Sequence, residues 1–344
     1  MALLLRPTPV GRPHGARPGR GAALVSTAST GALAVLLLWH LASPASLAAA
    51  APALAVAGLL LGLPHGAVDH LVPFWSTGEP VTLRRLVGVL TSYLAVAGLA
   101  AAALLLAPGP AFVVFLVVSA LHFGRGEVVV AAARAGRPAP RLLEDLPLAL
   151  AHGATVVGLL FALGSREAAA VLRQLAPAVA DPSPALRLGV VAATGVLVLL
   201  AAADLARRGR WRELTELAVL VACFAVVPPA AAFGVYFGLW HAMRHTWRMV
   251  ELAAAPGPSG TGPVRGPGRA LLRYALHAAA PTAVALAALL AIAATRESSL
   301  LATEIAVLLA LTFPHVQTVA VLDAARARGA RGPAVAEVPV HGRG

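Results

Sequence analysis

Ten runs of apolar residues, each close to the length needed to cross a lipid bilayer, restrict what this sequence can fold into. A helix needs about 20 residues to span a hydrocarbon core ~30 Å thick, and lipid offers no partner for a free N–H or C=O. The runs cover residues 30–49, 52–73, 86–107, 111–131, 146–164, 186–204, 214–228, 232–250, 272–294 and 300–322. We expect an all-α, polytopic transmembrane bundle of about 8–10 helices, in which the short seventh run is a partial span.

The composition excludes a soluble globular enzyme. Hydrophobic residues make up 59% of the chain and charged residues 12%, whereas soluble domains have roughly 45–50% and 25%. All of the positive charge is arginine, and aromatic residues do not alternate with it as a nucleic-acid surface would require. We therefore expect no nucleic-acid partner. Because Cys223 is the single cysteine, any metal must be held by histidine or carboxylate.

Arginine positions predict the orientation of the chain. The even-numbered connections between runs are rich in arginine, beginning with Arg84 and Arg85, whereas most of the others are short and uncharged. The positive-inside rule then places both termini in the cytoplasm of a multi-pass cell-membrane protein. We expect a disordered Arg/Pro-rich tail over 1–29, one membrane-embedded catalytic domain over 30–323 and a flexible tail over 324–344.

Nine of the eleven histidines lie in or beside the apolar runs. Ionisable groups in a bilayer are costly and by default mark functional sites. Four motifs place a histidine next to proline, glycine or another histidine: residues 62–70 (GLPHGAVDH), 121–124 (LHFG), 240–245 (WHAMRH) and 313–315 (FPH). Imidazoles without thiolates suit iron, zinc, copper or nickel.

The pair His241 and His245 has the spacing of a bidentate metal site. Residues four apart on a helix share one face, with Cβ atoms roughly 5–6 Å apart. Ala242 stands where a zinc protease would carry glutamate, so protease chemistry is not indicated. The alternative is a pair of solvated or interfacial histidines.

The 62–70 motif combines two histidines with a carboxylate. In a regular helix, Asp69 shares a face with His65, while His70 is rotated away by about 140°. Pro64 and Gly66 can break such a helix. We assign His65 as a ligand, Asp69 as the group that orients a histidine or stabilises nearby positive charge, and His70 as a supporting residue. The alternative is a polar kink packed against neighbouring helices.

His122 and His315 are single histidines near small or helix-breaking residues. Gly124 and Gly126 follow His122 and leave room for a close helix or a ligand. Helical geometry alone does not choose between His122 and His315, and a lone buried histidine is often a hydrogen-bonded core residue. The motif around His315 is weaker, so we place His315 among the supporting residues. The other intramembrane histidines are assigned to interface or packing positions: His40, His152 and His277.

Together, these motifs resemble the Brp/Blh family of bacterial and archaeal β-carotene 15,15'-dioxygenases. The resemblance covers roughly residues 30–323, and its first motif is the most specific. The matching elements are Gly62-x-Pro64-His65-Gly66-Ala67-x-Asp69-His70, His122-Phe123-Gly124, His241-x-x-x-His245 and Pro314-His315. Members of that family are integral membrane enzymes that cleave β-carotene at its central double bond with O2, giving two molecules of all-trans-retinal.

The resemblance implies a cofactor, a ligand set and partners. The implied cofactor is Fe(2+), and its implied ligands and catalytic residues are His65, His122, His241 and His245. The implied partners are β-carotene or a related carotenoid, O2 and the lipid bilayer, with no obligate protein partner. Aromatic residues near the ligands are expected to hold the polyene, or alternatively to serve helix packing: Phe123, Phe233, Tyr236, Phe237 and Trp240.

Other classes of membrane protein remain open at this point. A di-iron carotenoid hydroxylase or desaturase would need several histidine boxes, and the sequence has a single HxxxH pair. A transporter would be expected to show repeat symmetry and paired broken helices, which we do not find. A haem-binding protein with two histidine ligands would be distinguished by its visible absorption.

Overall fold

The computed structural model describes residues 20–137, 140, 143–163, 166–254, 266–295 and 300–329. Regular structure within these ranges is helical throughout, without strands, which confirms the all-α prediction. The α-helices are α1 Arg20–Ala42, α2 Pro44–Gly62, α3 Val72–Thr77, α4 Leu83–Leu106, α5 Pro108–Arg134, α6 Leu146–Gly153, α7 Leu160–Ala162, α8 Arg166–Leu175, α9 Pro184–Arg207, α10 Trp211–Val226, α11 Pro229–Val235, α12 Met243–Ala253, α13 Pro267–Thr295 and α14 Leu300–Gly329.

Two π-helical segments join some of these helices into longer units. The segment Ala154–Leu159 connects α6 to α7, and Tyr236–Ala242 connects α11 to α12. With these joined, each of the ten apolar runs corresponds to one helical unit of the described chain, and α3 and α8 are short additions. Among the described residues, seven helices are long and apolar enough to cross a membrane. The protein is therefore a multi-pass membrane protein, and α10, at 16 residues, is short as predicted.

The helix boundaries near the termini differ from the prediction. Helix α1 begins at Arg20, so residues 20–29, predicted to be tail, are helical. One of their polar side chains, Ser29, has a buried partner: its hydroxyl accepts a hydrogen bond from Arg244 at 2.7 Å. Pro44 then starts α2 inside the predicted first run, because proline suits the first turn of a helix. Helix α14 extends to Gly329; residues 1–19 and 330–344 lie outside the described chain.

Glycines allow two pairs of helices to touch through their backbones. A Cβ atom at Gly58 of α2 would overlap the backbone of Gly234 in α11. A Cβ atom at Gly124 of α5 would overlap the backbone of Ala149 in α6, and one at Gly153 would overlap α5 in return. Small residues at membrane helix interfaces permit such close approach. These contacts hold the helices that carry the histidine motifs close together.

Buried ion pairs also join the histidine-bearing helices. Arg244 of α12, 3% exposed, pairs with Glu127 of α5, and Arg248 of α12 pairs with Asp323 of α14. The Trp240 indole donates to Glu127 at 2.9 Å, and the Arg244 guanidinium lies 3.8 Å from the Trp240 ring. Since lipid cannot solvate these charges, the pairs fix how α5, α12 and α14 meet.

We expect Gly234→Val to destabilise the protein because the new side chain must separate α11 from α2. Overpacking of this kind costs about 1–3 kcal/mol. The matched control is Gly98→Val on α4, where a Cβ meets nothing within 4 Å. Thermal unfolding in detergent should show a lower melting temperature for Gly234→Val alone; equal melting temperatures would contradict the close contact.

We expect Arg244→Met to leave the Glu127 carboxylate buried without its partner, at a cost of about 3–5 kcal/mol. The control is Arg85→Met, which breaks a 2.7 Å pair with Glu79 whose side chains are 43% and 29% exposed. Exposed pairs contribute about 0–1 kcal/mol. SDS-induced unfolding followed by circular dichroism compares the two, and similar losses would argue against the buried pair.

Candidate metal centre

Five histidines from separate parts of the chain converge at one buried place in the bundle. They are His65, His122, His241, His245 and His315. The His65 ring centroid lies 5.3 Å from that of His241, 5.6 Å from that of His245 and 4.8 Å from that of His315. The His122 centroid lies 5.1 Å from those of His241 and His315. The structure thus brings the four predicted ligands together, with His315 among them.

A break in the chain after α2 positions His65. A 3-10 turn spans Leu63–Gly66, where Pro64 prevents continuation of the α-helix. The His65 Nδ1 atom lies 2.5 Å from the Gly62 carbonyl oxygen. A proton on Nδ1 is donated to that oxygen, which leaves Nε2 as the ligand atom. His70 lies outside the cluster, half-buried on the wall of the adjacent cavity.

His241 and His245 belong to a column of four stacked rings. Phe233, Phe237, His241 and His245 follow at intervals of four residues, and successive ring centroids are 5.8, 6.0 and 6.4 Å apart. The planes of neighbouring rings differ by 24°, 25° and 17°. The column runs through the π-helical segment, a type of distortion frequent at functional sites. The two histidines therefore share one face, as their spacing predicts.

Asp69 orients a histidine, and that histidine is His315. The buried Asp69 Oδ2 atom accepts a hydrogen bond from His315 Nδ1 at 2.8 Å and one from the Tyr93 hydroxyl at 3.2 Å. The three residues come from the turn after α2, from α14 and from α4. Sequence spacing predicts an orienting carboxylate here but does not identify its partner, and it contains no signal for Tyr93.

Several polar atoms of the cluster are buried without a partner, which fits a metal ion. These atoms are Nε2 of His122, His245 and His315 and Oδ1 of Asp69. Leaving such an atom unpaired costs about 1–3 kcal/mol. The ligand atoms of His65, His241 and His315 lie within 4.8 Å of one another. Those of Asp69, His245 and His315 do so as well. Neutral imidazoles that converge in this way can hold a divalent cation.

A cavity of about 670 Å³ adjoins the cluster, and His65, His122, His241 and His315 lie on its wall. The remaining wall is almost entirely apolar and comes mainly from α2, α5, α13 and α14.

The predicted aromatic residues divide between the cavity wall and the core. Phe123, Phe233 and Phe237 lie on the wall. Tyr236 and Trp240 are fully buried and take no part in it. The Tyr236 hydroxyl lies 3.0 Å from His152 Nε2, and Trp240 binds Glu127. Both rings thus pack in the core and bind buried partners, and the structure does not place them on the wall of this cavity.

Known proteins are similar to this chain in sequence over most of its length. The family profile described as Beta-carotene 15,15'-dioxygenase matches residues 56–323. The probable beta-carotene 15,15'-dioxygenase Blh of Halobacterium salinarum is 34% identical over 301 residues, which cover 78% of this chain and 83% of that protein. The beta-carotene 15,15'-dioxygenase of the uncultured marine bacterium 66A03 is 27% identical over 201 residues, or 56% and 68% of the two chains. No solved structure matches. The extent of the family match confirms the resemblance seen in the histidine motifs: the chain belongs to the beta-carotene 15,15'-dioxygenase family.

Proposed function

We propose that this protein is a membrane-bound, non-haem iron oxygenase that cleaves β-carotene, or a related carotenoid, at its central 15,15' double bond. The reaction consumes one O2 and gives two molecules of all-trans-retinal. The double bond breaks and each of its carbons receives one oxygen atom, so no further reductant is needed. The observation that carries this proposal is a cluster of buried imidazoles on the wall of an apolar cavity, in a chain of this family.

In this proposal four histidines hold the metal: His65, His122, His241 and His245. The hydrogen bond from His65 to Gly62 leaves the His65 Nε2 atom available for a metal. The buried Nε2 atoms of His122 and His245 have no hydrogen-bond partner. We assign Fe(2+) because the family resemblance implies it; zinc, which is not redox-active, would not activate O2. Bound iron supplies the activation of O2; the protein supplies neutral ligands and excludes water.

The cavity supports an apolar substrate that arrives from the bilayer. Val284 of α13 and Leu94 of α4 line it, although their side chains are 70% and 65% exposed on the surface of the bundle. The cavity therefore opens sideways between membrane-spanning helices, where a dissolved polyene can enter without crossing water. Phe123 and Phe237 offer ring faces beside the histidines, and the Phe123 centroid is 4.7 Å from that of His241.

We further propose that the protein resides in the cell membrane with both termini in the cytoplasm. The arginine-rich connections support this orientation through the positive-inside rule.

Expression in a bacterial host that accumulates β-carotene tests the reaction. We expect loss of orange colour and formation of retinal, measured by chromatography. Alanine at any proposed ligand should reduce retinal formation by more than about 100-fold and lower the amount of bound iron. The reason is that loss of a residue that only orients a ligand already costs about 10–100-fold. These variants are His65→Ala, His122→Ala, His241→Ala and His245→Ala.

The control for this series is His277→Ala, since His277 is exposed and its Nδ1 atom hydrogen-bonds the Arg273 carbonyl oxygen of its own helix. It should cleave as the parent protein does. Persistent colour despite verified membrane insertion and iron supply would refute cleavage. Haem absorption in the purified protein, or two irons per chain, would instead support one of the alternative classes.

Blocking the cavity should reduce cleavage without removing the metal. Ala285 of α13 lies on the cavity wall, so Ala285→Trp fills space that the polyene needs. Ala283, on the same helix, is exposed and absent from the wall, which makes Ala283→Trp the matched control. We expect about a tenfold or greater loss of kcat/KM for Ala285→Trp alone, with iron content unchanged, since a misplaced substrate is costly. Equal activities would show that the substrate binds elsewhere.

A further inference from the structure

We infer that His315 is itself a ligand of the metal, held in place by Asp69, and is not a residue that merely supports the other histidines. This inference rests on the proposed metal function and adds a fifth imidazole, from α14, to the four proposed above. Three observations support it. They are the position of His315, the hydrogen bond that fixes its ring, and the two hydrogen bonds already accepted by Asp69 Oδ2.

The His315 ring lies close to three other histidines of the cluster. Its centroid lies 4.8 Å from that of His65, 5.1 Å from that of His122 and 5.0 Å from that of His245. By comparison, the His241 and His245 centroids are 6.4 Å apart. His315 also belongs to both groups of converging ligand atoms, one with His65 and His241 and one with Asp69 and His245. No other histidine of the described chain belongs to both groups.

The hydrogen bond to Asp69 leaves one nitrogen of the His315 ring without a partner. Nδ1 donates to Asp69 Oδ2 at 2.8 Å, so Nε2 carries the lone pair. That Nε2 atom is buried and has no hydrogen-bond partner. Metal-bound histidines commonly donate their other ring nitrogen to a carboxylate, which fixes the tautomer and raises the basicity of the ligand. The arrangement of His315 and Asp69 has this form.

Asp69 is the competing candidate for a ligand, because its Oδ1 atom is also buried without a partner. Its Oδ2 atom, however, already accepts from both His315 and the Tyr93 hydroxyl at 3.2 Å. These two donors hold the carboxylate between α14 and α4. We therefore assign Asp69 as the positioning residue and His315 as the ligand, and the two assignments differ in their effect on metal binding.

Cobalt(II) binding to the full-length protein in detergent distinguishes the two assignments without any turnover. The visible absorption of bound cobalt reports its ligand set, and titration gives its affinity. We expect His315→Gln to weaken cobalt binding by more than about 100-fold and to change the absorption bands. Asp69→Asn should weaken binding by about 10–100-fold, as loss of an orienting group does, and leave the bands nearly unchanged.

Two reference variants make the result decisive. His241→Gln provides the reference for loss of a proposed ligand, and His277→Gln should bind cobalt like the parent. The inference is overturned if His315→Gln keeps the parental bands while Asp69→Asn loses them, or if neither changes. A parent protein that binds no cobalt would instead refute the proposed metal function. Glutamine and asparagine nearly match the replaced side chains in shape, and size-exclusion profiles establish that each variant is folded.

Discussion

Lipid cannot satisfy a polar group, so every charge and imidazole at the depth of this site needs a partner from the protein itself. The bundle meets this demand in two ways. Arg244 with Glu127, and Arg248 with Asp323, neutralise each other as buried pairs. The histidines differ, because the buried Nε2 atoms of His122, His245 and His315 have no hydrogen-bond partner from the protein. In the proposed function, a cation is the partner that these nitrogens lack.

Contacts between helices determine where the proposed ligands lie. Backbone contact between Gly58 and Gly234 holds α2 against α11, and the turn after α2 then brings His65 close to His241. The pairs made by Arg244 and Arg248 tie α12 to α5 and α14, each of which carries another histidine. The geometry of the proposed metal centre thus depends on the glycines and ion pairs that hold the helices together, as well as on the histidines themselves.

The sequence predicts the fold class, the helical units and the convergence of the four main histidines, because hydrophobic length and short motifs are local properties of a chain. It does not predict contacts between distant segments, such as the bond between Asp69 and His315 across 246 positions. The sequence also does not show that Tyr236 and Trp240 lie off the cavity wall, because a π-helical segment and buried partners decide which rings face the cavity. Glu127 and Arg244 do carry a signal in the sequence, since each places a charge inside an apolar run.

The stacked column of Phe233, Phe237, His241 and His245 has a geometric consequence for selectivity. Two of its rings, Phe233 and Phe237, form hydrocarbon surface on the cavity wall, and the other two belong to the proposed metal centre; all four lie on one continuous helical unit. Four residues of helix advance by about 6 Å, so helix rise sets the distance between the phenyl rings and the proposed centre. If the polyene binds against these rings as proposed, the double bond that is cut is selected by a length that no loop movement can alter.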